Sequence, residues 1–168
     1  MTNRHILISG AAAVALAAPV AVSAASAAPG QSIDLYGVPV SQVLQNAHGK
    51  TLPSNAKLAV GEYVVGTKKV YEGTPTDHSS TTDGTVTSHC RLTKVVTQDE
   101  GTASCTATWS KDGSTLTAGT LTDTIQSPPK HFTLKIISGT GSFAGAHGTF
   151  SVTRLANKYN EIVVHLSA

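Results

Sequence analysis

Residues 102–118, TASCTATWSKDGSTLTA, predict the fold of this chain. From Ala103 to Trp109 every second side chain is apolar and those between are hydroxylated, which is the pattern of a strand with one buried face. The Asp112-Gly113 pair that follows favours a tight hairpin turn. Folding about this turn sets residues of the two strands opposite each other, namely Trp109 with Leu116 and Ala107 with Ala118.

The segment upstream predicts a second antiparallel partner for this strand. Residues 87–97 have strand composition, and a turn over residues 98–101 brings them back alongside residues 102–110. In that register Cys90 faces Cys105, and these are the two cysteines of the chain. We therefore expect a disulfide, which in the chain-entropy description stabilises the protein by about 3 kcal/mol for a loop of this length.

The remaining sequence continues as short strands between turns. It is rich in Thr, Val and Ser and lacks a helical stripe of apolar residues, except that Val40–Ala47 could form a short helix. Further strands are predicted over six segments: Ser32–Tyr36, Leu58–Tyr71, Leu116–Ile125, His131–Ser138, Gly148–Leu155 and Glu161–Ser167. About eight strands indicate an all-β protein, as a sandwich or as a closed eight-stranded antiparallel β-barrel, which can hold one small ligand.

The first residues predict secretion. Arg4 and His5 precede an apolar run over 6–22, and Ala25-Ser26-Ala27 is a small-residue cleavage site. A membrane anchor is disfavoured because Pro19 interrupts a run that is too short to span a bilayer. We therefore assign residues 1–27 to a secretory signal peptide, 28–56 to an N-terminal strand and connecting segment, and 57–168 to the barrel body.

Charge excludes several classes of partner. The formal net charge is +2 with 13% charged residues, and lysines and arginines occur singly apart from Lys68-Lys69. A nucleic-acid or anionic-membrane surface needs a denser basic patch. We expect no nucleic-acid partner, and no membrane span in the exported chain.

The stretch Ile136–Gly148, IISGTGSFAGAHG, resembles the signature of the allene oxide cyclase and dirigent barrel superfamily, in which a glycine-rich turn follows a strand and an aromatic residue precedes a closing glycine. Gly61–Val65, Val70–Gly73 and the central hairpin resemble other strands of that family. The resemblance covers residues 57–166 and is strongest to secreted bacterial members. It implies an eight-stranded barrel in which Phe143 folds back as a plug at one rim.

The resemblance also implies a function. Members enclose an apolar cavity and steer the cyclisation or coupling of a reactive molecule by orientation, without a cofactor. A small hydrophobic or phenolic ligand is expected, and members often form homo-oligomers. The neighbourhoods of the dirigent acid and base residues hold Asp34, Asp123 and His147 here, which either act as general acid and base or are ordinary rim and loop residues in water. The glutamate and asparagine of allene oxide cyclases have no counterpart. True allene oxide cyclase activity is therefore not expected.

Other candidate residues support several interpretations. Four aromatic side chains either fill the core or line a cavity: Trp109, Phe132, Phe143 and Phe150. No two histidines have the short spacing of a zinc pair, so no metal is expected, and no serine-hydrolase elbow is present. Two other functions remain open at this point, a noncatalytic carrier of lipocalin type and a structural or interaction protein with a filled barrel.

Overall fold

The hairpin around Asp112 and Gly113 is present in the computed structural model, which describes residues 30–97, 100–124 and 130–167. It joins strands β4 (Gly101–Lys111) and β5 (Ser114–Thr124). Asp112 and Gly113 have φ values of 47° and 75°, as the mirror-image type I′ turn requires. The predicted register is confirmed, because Trp109 pairs with Leu116 and Ala107 with Ala118.

Eight antiparallel strands form one closed barrel, in the order of the sequence. The other strands are β1 (Ser32–Gln45), β2 (Tyr63–Gly73), β3 (His78–Val95), β6 (His131–Thr140), β7 (His147–Arg154) and β8 (Asn160–Ser167). Single turns of 3₁₀ helix, η1 (Gly141–Phe143) and η2 (Ala156–Lys158), precede β7 and β8. The predicted all-β fold is confirmed as a barrel and not as a sandwich.

Strand β1 closes the ring and corrects one prediction. Its first half, from Ser32 to Gly37, pairs with β8, and the segment from Leu35 to Gln45 pairs with β2. The short helix predicted over Val40–Ala47 is therefore wrong. The pairing with β2 supplies backbone hydrogen bonds along this segment, and these outweigh a weak helical pattern of apolar residues.

Strand β3 carries the disulfide and is longer than predicted. It begins at His78, because residues 78–86 pair with β2 although their sequence is polar and contains a glycine. Cys90 lies directly opposite Cys105 of β4, their Cα atoms are 4.0 Å apart, and their sulfur atoms are bonded. The predicted disulfide is confirmed. Gln98 and Asp99 of the predicted turn lie outside the described residues.

The barrel interior is packed at one end. Fifteen buried residues form one cluster there and in the middle of the barrel, and Trp109, Leu116, Leu35, Val70 and Phe143 are among its members. A smaller cluster of Leu92, Ala103 and Cys105 lies towards the other end. We call the first the plugged end and the second the cavity end.

The predicted signal peptide, residues 1–27, lies outside the described residues. Within the part of the chain that the structure describes, no helix is long and apolar enough to cross a membrane.

Candidate functional site

A cavity of about 770 Å³ occupies the cavity end of the barrel. All eight strands contribute to its wall, together with the connection between β7 and β8. The deeper part of the cavity is lined mainly by aliphatic and aromatic side chains, among them Val86, Leu134, Phe150, Val152 and Ile162. The volume lies within the range of ligand pockets in proteins, which is roughly 300–1,000 Å³.

The hollow follows from the side chains that β4 directs inward. Ala103, Cys105 and Ala107 are small and face the cavity, whereas the next inward residue, Trp109, is large and only 1% exposed. On β2, Gly66 also faces the cavity without a side chain. Because an eight-stranded barrel is just wide enough to be filled by side chains, a run of small inward residues leaves a space.

Trp109 and Phe143 form the plug of the other end. Their rings are tilted with centroids 5.0 Å apart, and Phe143 is 6% exposed. The Trp109 indole N–H donates to the backbone carbonyl of Asp83 at 3.0 Å, which satisfies the polar atom of the buried ring. Phe143 is carried inward by η1, which is held by a hydrogen bond from the Ser142 N–H to the buried Ser114 hydroxyl.

Cationic side chains lie on one side of the cavity end. Lys68 of β2, Arg154 of β7 and Lys158 of η2 line the cavity, and Asn160 of β8 lies beside them. Lys68 crosses the inward face of β1 at Gly37, where an added Cβ would stand 3.4 Å from its Cδ atom. The Lys68 ammonium donates to the backbone carbonyl of Lys158.

The electrostatics of this group centre on Lys68. Burial, with the added repulsion of the Arg154 and Lys158 charges, lowers the pKa of the half-buried Lys68 ammonium. The Arg154 guanidinium lies over the Phe132 ring, 5.1 Å from its centroid, in a cation–π arrangement. The arrangement presents positive charge at the rim of an apolar cavity.

A smaller hollow of about 410 Å³ lies outside the plug. Asp34, Glu72 and Asp83 line it together with Lys111, whose ammonium forms an ion pair with Asp83. The hydrogen bond that the Lys111 ammonium donates to the Asp83 carboxylate is the main cause that raises the pKa of Lys111, and burial opposes it.

The three residues predicted as catalytic are not brought together. Asp34 is exposed and lines the smaller hollow at the plugged end. His147 is exposed at the start of β7, opposite Ser167, and lines neither hollow. The backbone of Asp123 lies near the end of β5 opposite Ala103, at the other end of the barrel, and its side chain lies outside the described part of the structure.

The four aromatic residues divide between the two ends. Phe132 and Phe150 line the large cavity, whereas Trp109 and Phe143 line the smaller hollow and form the plug. Lys68, Arg154 and Lys158 were not among the site residues predicted from the sequence. Among residues 30–97, 100–124 and 130–167, no group of three His, Cys, Asp or Glu side chains could hold a metal ion.

Comparison with known proteins identifies the class of fold. No protein family and no curated protein sequence matches the chain. Among solved structures it is similar to pyocyanin demethylase, with a TM-score of 0.56 and 21% identity over 82% of this chain and 100% of that chain. A pterocarpan synthase dirigent protein also matches, with a TM-score of 0.46 and 16% identity over 82% of this chain and 84% of that chain.

The chain is therefore an eight-stranded antiparallel barrel with one hollow end and one filled end. It shares its fold with pyocyanin demethylase. The barrel that the resemblance to the allene oxide cyclase and dirigent superfamily implied is confirmed. At 21% identity, the similarity to pyocyanin demethylase shows a shared fold and nothing about function.

Proposed function

We propose that this protein is a secreted barrel that binds one small apolar or aromatic molecule in the large cavity. The observation that carries the proposal is the hollow of about 770 Å³, walled by residues such as Phe132, Leu134 and Phe150. A barrel whose function lay only on its outer surface has no need of such a space, because filling it with larger side chains would add buried apolar contacts.

Secretion is part of the proposal. The sequence pattern of residues 1–27 and the disulfide between Cys90 and Cys105 support it, because disulfides form and persist mainly in oxidising compartments. Mass spectrometry of the exported protein tests it through the position of the new N-terminus, which we expect directly after Ala27.

A variant that fills the cavity tests the binding function. In Ala103→Phe the new ring points from β4 into the large cavity, whereas in the control Ser104→Phe it lies on the outer face of the same strand. We expect the neutral fluorescent probe phenylnaphthylamine to bind the wild type and the control and to lose at least about tenfold in affinity for Ala103→Phe. Circular dichroism and thermal melting establish that each variant is folded. Equal binding by folded Ala103→Phe and Ser104→Phe contradicts the proposal.

Steering of a cyclisation or coupling of the bound molecule is a second candidate function. It is favoured by the half-buried Lys68 ammonium in the cavity wall, a donor placed where negative charge can develop on a bound molecule. Of the predicted acid and base residues, Asp34 and His147 lie away from this cavity, so Asp123, whose backbone lies opposite Ala103 at the cavity end, is the candidate of this reaction beside Lys68. Lys68→Met and Asp123→Asn test it, because lost product selectivity with retained ligand binding favours an enzyme and unchanged behaviour favours a carrier.

A further inference from the structure

Three cations from separate parts of the chain meet at one side of the large cavity. Lys68 comes from the middle of β2, Arg154 ends β7, and Lys158 lies in the short connection to β8. Closure of the barrel brings them together. Burial is the main cause of the lowered pKa of Lys68, and the proximity of the other two charges adds to it. No run of basic residues in the sequence marks this group.

Negative charge is absent from the described cavity wall. None of the described side chains that line the cavity is acidic, and neither Lys68 nor Lys158 has a carboxylate within ion-pairing distance among the described residues. Grouped cations that are partly removed from water lower the stability of the fold. A protein retains such a group more readily when an anion occupies the site.

The connection that carries Lys158 is itself strained. Asn157 and Lys158 have φ values of 57° and 66°, in the left-handed region that a lysine seldom adopts. This conformation turns the Lys158 carbonyl towards the Lys68 ammonium, which donates to it. Strained residues of this kind occur more often at binding sites than elsewhere.

The surface next to the cations is aromatic. Phe132 lies under the Arg154 guanidinium and lines the cavity, and Phe150 lines it at greater depth. Aromatic rings favour stacked or edge contacts with other rings, and guanidinium groups also stack on them. The site therefore places an anion-binding group at one edge of an aromatic wall.

We infer that the cavity binds an aromatic molecule with a single carboxylate, which lies between Lys68, Arg154 and Lys158 while the rings contact Phe132 and Phe150. This inference rests on the proposed binding function and names the class of its ligand. The carboxylate accepts charge-assisted hydrogen bonds from the ammonium groups of Lys68 and Lys158.

A matched pair of probes tests the inference on the full mature protein. Anthracene carboxylic acid and its methyl ester share one aromatic body and differ in charge. We expect calorimetric titration to give at least about tenfold tighter binding for the acid, because hydrogen bonds to charged groups are stronger than those to neutral groups.

Two lysine variants locate the anion. Lys68→Met keeps the aliphatic stem and removes the ammonium, and Lys69→Met makes the same change on the exposed neighbouring side chain. We expect Lys68→Met to lose most of the preference for the acid while its affinity for the ester is unchanged. Lys69→Met should keep the wild-type preference. Lys158→Met, in an exposed connection, supplies a second variant if Lys68→Met does not fold.

The outcomes separate the inference from the proposed function. Equal affinity of the wild type for acid and ester overturns the inference and leaves the binding function standing. An acid preference that survives in Lys68→Met and Lys158→Met also overturns it. If neither probe nor phenylnaphthylamine binds the folded wild type, the proposed function fails, and the inference fails with it.

Discussion

The indole N–H of Trp109 donates to the backbone carbonyl of Asp83 at 3.0 Å, and the side chain of the same aspartate forms an ion pair with Lys111. The Lys111 ammonium lies 5.9 Å from the centroid of the Trp109 ring. Asp83 thus contacts both the plug of the barrel and the cation above it. Changes to these residues should reduce stability without altering the cavity wall.

Trp109→Phe tests the contribution of the plug to stability. The substitution leaves the Asp83 carbonyl without its donor and removes buried ring atoms, so we expect a loss of roughly 1–3 kcal/mol in the free energy of unfolding. Urea denaturation followed by circular dichroism measures it. Phe132→Leu is the control, because that half-buried ring borders the hollow and should cost less. A larger loss in the control would contradict the role assigned to the plug.

Lys111→Met tests the ion pair and its pH dependence. The variant leaves the mostly buried Asp83 carboxylate without its cation, and we expect a loss of roughly 1–2 kcal/mol near neutral pH. The Lys111 side chain is 37% exposed, so solvent screens much of the attraction. Because folding raises the pKa of Lys111, its contribution is complete below the unfolded value of about 10.4 and is lost as pH rises through the folded value.

Urea denaturation of the wild type and of Lys111→Met, from neutral to strongly alkaline pH, tests the direction of this pH dependence. The stability difference between wild type and Lys111→Met should narrow as the ammonium deprotonates in the folded protein. Lys135→Met, at an exposed site on β6, should show little difference at any pH. A gap that widens with rising pH would contradict the prediction.

Removal of the disulfide should weaken the fold. Replacing both Cys90 and Cys105 by alanine opens a loop of 15 residues, and we expect a loss of about 3 kcal/mol in the free energy of unfolding. Dithiothreitol should lower the denaturation midpoint of the wild type towards that of the double variant. The midpoint of the double variant itself should not respond to the reductant, and a response there would indicate an effect unrelated to this bond.

Gly148→Ala should destabilise the pairing of β7 and β8. Gly148 has φ of 131°, and an added Cβ would stand 1.9 Å from the carbonyl oxygen of His165. We expect a loss of about 2–4 kcal/mol, because both backbone strain and a clash oppose the change. Gly145→Ala has positive φ but meets no atom within 4 Å, so its loss should be near 1 kcal/mol. Equal melting temperatures for the two variants would contradict this explanation.

The barrel could be predicted from the sequence because its signals are local. The alternation along β4, the Asp112-Gly113 turn and the opposed cysteines each fix a register between neighbours. The first half of β3 and the second half of β1 were missed because their strand structure depends on pairing with β2, which their own composition does not reveal.

The large cavity could also be predicted from the sequence, from the sizes of the inward side chains and not from the alternation of polar and apolar residues. In the sequence, Ala103, Cys105 and Ala107 form one apolar face with Trp109. Only the small size of the first three side chains indicates that they line a cavity, whereas Trp109 fills the core. Arg154 follows Phe150 and Val152 at the inward spacing of two, which places a charge on the inner face. The spacing of Arg154 was visible in the sequence, but it indicates a charge in the cavity only once the other strands are known to form a closed barrel. Lys158 gives no such signal, since its position depends on the conformation of η2.

The plugged end determines by which route a ligand can enter or leave the large cavity. Trp109, Phe143, Leu35 and Leu116 are at most 6% exposed and close the barrel on that side, so no path leads through it. Any molecule that binds in the large cavity must therefore enter and leave at the cavity end, where Lys68 and Lys158 line the wall. Substitutions of Lys68 and Lys158 should therefore change the residence time of the proposed ligand. The barrel is therefore closed at the plugged end and does not form a channel.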